Sequence, residues 1–199
     1  MTKFIDIPEH LRSISVDSAY GLMNIGATAV ISAANKGDED AMTAAWNCAL
    51  DLNPTKVTVV LSREHYTRKL LEASSGFFAI SLVSRANVES AQYLGSVSKN
   101  DDKEKLDKCP GRFFRAPGCD IPLIEGSPAY FICKVIPEER IAKTYDLFLA
   151  EVVACYADDR VATEGGDWRF ESADPSLRTV HAASHGRFYA IGDLIDLNR

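Results

Sequence analysis

The chain has 199 residues, 46% hydrophobic and 25% charged, a globular balance that excludes collagen-like, coiled-coil and largely disordered chains. A chain of this length can bury roughly 70% of the surface it exposes when unfolded, which is core enough for one domain. Its 22 Lys and Arg against 28 Asp and Glu give a formal charge of -6, so there is no electrostatic basis for non-specific binding to nucleic acid or to an anionic membrane.

From the N-terminus onward, Met1 to Pro8 interrupts every short apolar run with a charge and lacks the apolar core of a secretory signal, so a cytoplasmic location is expected. The uncharged stretch Ser18 to Asn35 carries Asn24, Thr28, Ser32 and two glycines, and it reads as a buried strand rather than a membrane span. Within it, Gly21 to Ala34 is rich in small and β-branched residues and enters a turn at Asn35 to Asp40. Met42 to Asp51 is the expected returning strand. After Asn53-Pro54, Lys56 to Leu61 is a continuous apolar run that predicts a strand covered on both faces.

The period then changes. Thr67 is a good capping residue, Leu70, Leu71 and Ala73 share a helical face, and Ser74-Ser75-Gly76 supplies a stop, which predicts a helix from Arg68 to Ser74. Phe77 to Val83 is again strand-like. Asn87 is placed to cap a second helix over Val88 to Leu94, ended by Gly95. The polar segment Ser96 to Lys108 leads through loops at Cys109-Pro110-Gly111 and Arg115 to Cys119 into three strand candidates, Ile121 to Ile124, Ala129 to Val135 and Tyr145 to Ala157. Asp158 to Asp174 reads as a loop, and a last strand runs from Arg187 to Ile191. Many strands with two short helices predict a mainly β fold with peripheral α-helices, a β-barrel rather than a doubly wound sheet. No repeat or composition shift marks a second domain, so residues 1–199 are taken as one unit, with a core of about 16–157 and a C-terminal extension over 158–199.

The common signatures GxGxxG, GxxxxGK[ST], HExxH and GxSxG are absent. Five cysteines without a CxxC pair are poor material for a disulfide framework, and Cys109 and Cys119 lack nearby ligands for zinc. His181 and His185 have a metal-pair spacing, but loop histidines fit Gly186 better. Three segments are candidates for binding. Ser62-Arg63 to Thr67-Arg68 joins a strand to a helix start, where free N–H groups and guanidinium groups can cradle a phosphate. In Met42-Thr43-Ala44-Ala45-Trp46, small residues precede an indole, open to a planar ligand, although the local pattern favours a core aromatic for Trp46. From Gly95 to Lys105 runs a charged segment whose bland reading is a solvated loop, with lysines able to reach a ligand.

Asp40-x-Met42-Thr43-x-x-Trp46, Ser62-Arg63, Thr67, Phe77 to Ser81, Gly95-x-x-Ser98 and Asp102-Lys103 stand in an order that resembles the flavin reductase-like family of FMN-binding split barrels, especially its flavoredoxin type. Pro122 to Val135, Asp146 to Val153 and, more weakly, Phe188 to Gly192 continue it. The resemblance implies a split β-barrel that forms a homodimer and binds FMN near the subunit interface. It also implies electron transfer through the flavin, from NADH or NADPH or in exchange with a redox partner protein; a non-enzymatic FMN-binding electron carrier is the alternative. By the same resemblance Thr43, Ala44, Ala45 and Trp46 lie along the isoalloxazine, Asp40 belongs to the cofactor-binding set, Ser62, Arg63 and Thr67 hold the phosphate, and Lys103 contacts the flavin or its phosphate. Asp40 stands where flavoredoxin-like chains commonly carry Asn. Asp146 stands where nicotinamide-using relatives have His, and its charge is expected to slow reduction by NADH.

Overall fold

A computed structural model describes residues 4–19, 28–183 and 186–197. In chain order the strands are β1 (Phe4–Ile5), β2 (Leu11–Ile14), β3 (Ala29–Asn35), β4 (Asp38–Ala44), β5 (Asn47–Leu52) and β6 (Thr55–Val60). Next come helix α1 (Tyr66–Ala73), β7 (Phe77–Leu82), α2 (Val88–Ser96) and the one-turn α3 (Lys105–Lys108). After β8 (Phe113–Phe114), β9 (Leu123–Ile124) and β10 (Ala129–Ile136), a helix α4 (Glu139–Tyr145) precedes β11 (Leu147–Asp158), and the hairpin β12 (Val180–Ala183) and β13 (Arg187–Ala190) ends the chain.

Seven strands form one sheet in the order β4-β3-β7-β10-β11-β6-β5, and β2 adds to it by pairing with β11. The two outer strands of that order, β4 and β5, are separated in the chain only by Ala45 and Trp46, so their facing ends lie within about 11 Å. A sheet whose first and last strands are joined so closely must curl back on itself. The result is a mainly β, split-barrel architecture, as expected. The β3–β4 hairpin turns through Lys36 and Gly37, both at positive φ (52° and 84°), the two-residue turn whose twist matches paired strands. Inside the barrel Ile31, Val57, Val59, Phe78, Ile80 and Phe131 are buried. A second cluster, Val30, Ala41, Ala91, Leu94 and Ile124 among it, fixes α2 against the sheet.

Several expectations are corrected. The strand expected over Met42 to Asp51 is two strands bent at Ala45 and Trp46, and Trp46 is 74% exposed rather than a core aromatic. β6 alternates, with Thr55, Val57 and Val59 buried and Lys56, Thr58 and Val60 half-buried, so it is covered on one face. α1 begins at Tyr66 with His65 in the capping position and no capping side chain; the Thr67 hydroxyl is used elsewhere. Asn87 does not cap α2 either: its amide donates to Glu125 O and Ser127 Oγ, and its Oδ1 accepts from Ser84 N. Gly95 lies inside α2, not after it. Residues 21–27 of the first expected strand, and His185 of the histidine pair, lie outside the described residues. From the C-terminal extension Val161, Phe170, Leu177 and Val180 are buried, and Val180 N donates to Val83 O, tying it to the end of β7.

Candidate functional site

The helix start of α1 comes first, because the sequence makes it unusual. His65 supplies no side-chain hydrogen bond to the helix, so the first-turn N–H groups are left for another acceptor and carry the positive end of the helix dipole. Opposite lies β4. Gly95 permits its close approach to α2: a Cβ there would meet Thr43 Cβ at 3.2 Å. Thr43 Oγ1 in turn donates to Ala91 O of α2 at 2.5 Å, which holds the two elements together.

Between α1, β4 and α2 runs a trough with two lobes. One, of about 220 Å³, is lined by Asp40, Met42, Thr43, His65, Tyr66, Thr67, residues 94–98 and Lys105. The other, of about 200 Å³, is lined by Met42, Thr43, Ala44, Ala45, Trp46, Val60, Ser62 and His65. Met42, Thr43 and His65 belong to both and form the neck. Seven of the nine residues picked from sequence therefore line the trough: Asp40, Thr43, Ala44, Ala45, Trp46, Ser62 and Thr67.

The other two do not. Arg63 is turned to α4, where its guanidinium donates to Lys143 O at 2.8 Å. Lys103 is exposed, its Nζ 4.5 Å from the centre of the Tyr66 ring. The lysine inside is Lys105, whose Nζ lies 3.2 Å from Asp40 Oδ1, with both side chains almost wholly buried. Asp40 Oδ2 accepts from Thr67 Oγ1 at 2.7 Å. Among the described residues the partner of Asp40 Oδ1 is the Lys105 ammonium.

Burial pulls the Lys105 ammonium to a lower pKa, against the attraction of Asp40. Burial, and then repulsion from Lys105, also lowers His65, so its imidazole is neutral at pH 7. Above the trough Tyr66 donates to Asp38 Oδ2 at 2.5 Å, and Lys99 donates to Asp38 Oδ1 at 2.7 Å.

Sequence reasoning missed Lys105 and His65. Lys105 has a readable signal: it adjoins Leu106, the sole apolar residue between Val97 and Cys109, and burying that leucine carries its neighbour inward. His65 has none, because its place at the neck follows from where the helix starts.

Asp146 also departs from expectation. It sits at φ 55° after α4, its carboxylate 2.5 Å from Arg68 Nη1 and 3.7 Å from Arg63 Nε, and its carbonyl accepts from Leu61 N. The charge expected to repel a nicotinamide is neutralised by a buried guanidinium.

A larger cavity, about 370 Å³, lies on the outer face of the sheet beneath residues 117–121, with Phe77, Ile132, Val153 and Tyr156 in its wall. No lysine, arginine or histidine lines it, so it offers a phosphate nothing. Among the described residues no three His, Cys, Asp or Glu side chains converge as for a metal, and all five cysteines are free. No helix of the described residues is long and apolar enough to cross a membrane.

Compared with known proteins, residues 23–176 match the flavin reductase like domain family. The chain is 31% identical over 195 residues to the uncharacterized protein YddH of Escherichia coli (strain K12), covering 96% of this chain and 97% of that one. The crystal structure of an FMN-binding domain of a flavin reductases-like enzyme from Shewanella baltica OS155 superposes with a TM-score of 0.91 at 37% identity, covering 98% of this chain and 100% of that one. Flavoredoxin of Desulfovibrio vulgaris (Miyazaki F) shares the fold, with a TM-score of 0.71 at 21% identity over 87% of this chain and 90% of its own.

Proposed function

The chain belongs to the flavin reductase like domain family, and on that footing we propose that it is an FMN-binding oxidoreductase that passes electrons through the bound flavin. The observation that carries this reading is the trough, in which an uncapped helix start, a buried lysine and an exposed indole converge on one mononucleotide-sized space.

The residues present fit the cofactor. An anion is met by first-turn N–H groups of α1 and by Lys105, whose ammonium is paired with Asp40 Oδ1. Thr67 takes part through its backbone, because its hydroxyl is committed to Asp40. Met42 to Ala45 present small side chains and backbone to a flat ring, with Trp46 beside them. Ser62 belongs to the same lobe, and Arg63 reaches it only by leaving Lys143 O. Bound FMN would supply reversible uptake and release of electrons. The protein's part is to bind and orient it, to exclude water at the neck, and to hold positive charge at Lys105 toward an anionic group of the ligand.

NADH or NADPH is the proposed electron donor. A homodimer is proposed as well: Trp46, just before β5, and Leu50 and Leu52 on it are 74%, 50% and 58% exposed, an apolar patch that a second copy would cover.

FMN titration followed by visible absorbance, then anaerobic addition of NADH and NADPH, tests the proposal. Stoichiometric binding and bleaching of the flavin are expected. Absence of FMN binding would refute the cofactor assignment. Binding without bleaching by either nucleotide would reduce the protein to an electron carrier.

A further inference from the structure

Inside the trough Asp40 and Lys105 form an ion pair. Both side chains are at least 98% buried, and the Lys105 ammonium stands 3.2 Å from Asp40 Oδ1. The other oxygen is fixed by Thr67, on the first turn of α1, so the carboxylate cannot simply rotate away.

We infer that Asp40 is a positioning residue, one that keeps the Lys105 ammonium charged within the trough and so maintains affinity for the anionic cofactor. The inference rests on the FMN reading above and goes beyond it, by assigning to Asp40 an effect on the ligand exerted through a second side chain.

The groups that face Lys105 make the direction clear. Among the described residues Asp40 on β4 is the carboxylate against it. Neutral His65 stands at the start of α1, Lys99 adds like charge from the loop after α2, and the Cys109 thiol, raised by burial, closes the end of α3. Burial and Lys99 therefore drive the ammonium toward its neutral form, and Asp40 opposes them. An opposite charge at this distance is worth one to three pH units of titration to its partner. An amide at position 40 keeps the shape and the acceptor for Thr67 but removes that opposition.

The test is the FMN dissociation constant between pH 7 and 9.5, measured by flavin fluorescence quenching on the full chain for wild type, Asp40→Asn and Lys105→Gln. Wild type should bind evenly across most of this range. Asp40→Asn should bind with near wild-type affinity at pH 7 and lose it about one unit or more earlier as pH rises. Lys105→Gln should bind roughly ten- to a hundredfold more weakly, as expected for a lost charge-assisted hydrogen bond, with no alkaline loss. A uniform weakening by Asp40→Asn, parallel to wild type at every pH, would mean that the residue merely shapes the trough and would overturn the inference. So would an alkaline loss that persists in Lys105→Gln. Should Asp40→Asn fail to fold, Asp40→Ser, which also removes the charge, is read in its place: an alkaline loss earlier than wild type supports the inference, and a profile parallel to wild type overturns it. If wild type binds no FMN at any pH, the functional proposal itself falls, a result distinct from either of these.

Discussion

Replacing Arg68 by alanine removes the cation around which the turn leading into the trough is built. Its guanidinium is buried, donates to Leu61 O at 2.9 Å and Ala142 O at 3.2 Å, meets Asp146 at 2.5 Å and Glu72 at 2.8 Å, and lies 5.1 Å from the centre of the Phe148 ring. Removing one partner of a buried ion pair costs about 3–5 kcal/mol. Here Asp146 is 26% exposed and regains some hydration, and Glu72 is 52% exposed and counts for little, which places the loss near the lower figure, about 3 kcal/mol. For a domain of this size that is a fall of about 6–12 °C in melting temperature. Arg68→Lys keeps the charge but not the planar fork, and should lose about half as much. Asp146→His removes the same pairing and should also destabilise, without speeding flavin reduction by NADH. Thermal unfolding followed by circular dichroism, with and without FMN, measures all three. A loss under about 1 kcal/mol for Arg68→Ala would refute the view that this cation holds β6, α1 and α4 together.

Other outcomes follow from burial and charge. Trp46→Ala should change the stability of the FMN-free protein by less than about 0.5 kcal/mol, as for an exposed surface residue, while weakening FMN binding; equilibrium denaturation and flavin titration separate the two effects. Iodoacetamide at pH 8 should modify exposed Cys48 well before Cys133 and Cys155, whose thiols burial pushes far up, and mass spectrometry of the time course would show early labelling of the buried pair if their packing were wrong. Burial alone would raise the Asp38 carboxyl, but hydrogen bonds from Lys99 and Tyr66 outweigh it and leave its pKa lowered. Its contribution to stability is therefore complete above the unfolded value of 3.8 and is lost as pH falls through the lower folded value. Asp38→Asn should accordingly flatten the acid limb of a stability-against-pH curve measured by urea denaturation, and an unchanged limb would contradict this.

Most strands were legible because their apolar runs are bounded by turn residues, as at Phe77 to Leu82 and Ala129 to Ile136. Helix α4 was not, since Glu139 to Tyr145 buries no residue and so carries no apolar stripe for a periodicity argument to find. The bend at Ala45 and Trp46 escaped for another reason: small residues permit a strand to continue or to turn, and only closure of the sheet decides between them. Ser62, Thr67 and Thr43 to Trp46 lay in segments marked by local pattern, a strand that meets a helix start and small residues before an indole, whereas Asp40 came from the family resemblance. Lys103 was named by the same resemblance, and Lys105 escaped because a charged run does not say which of its members turns inward, while the anchor, Leu106, acts through tertiary packing. The roles of Arg63 and Asp146 depend on pairing with α4 and α1 across the fold, which no local pattern encodes.

The pairing of β2 with β11 sets Ile14 beside Cys155 and Leu11 beside Asp158, some 140 positions apart in the chain. During synthesis the early strand therefore emerges long before its partner exists. At about 5–20 residues per second the wait is roughly 7–28 s, during which Leu11 and Ile14, both buried in the finished protein, remain without their partner strand. Chaperones that bind short apolar segments would find this one available throughout that interval, and it can dock only once β11 has been made.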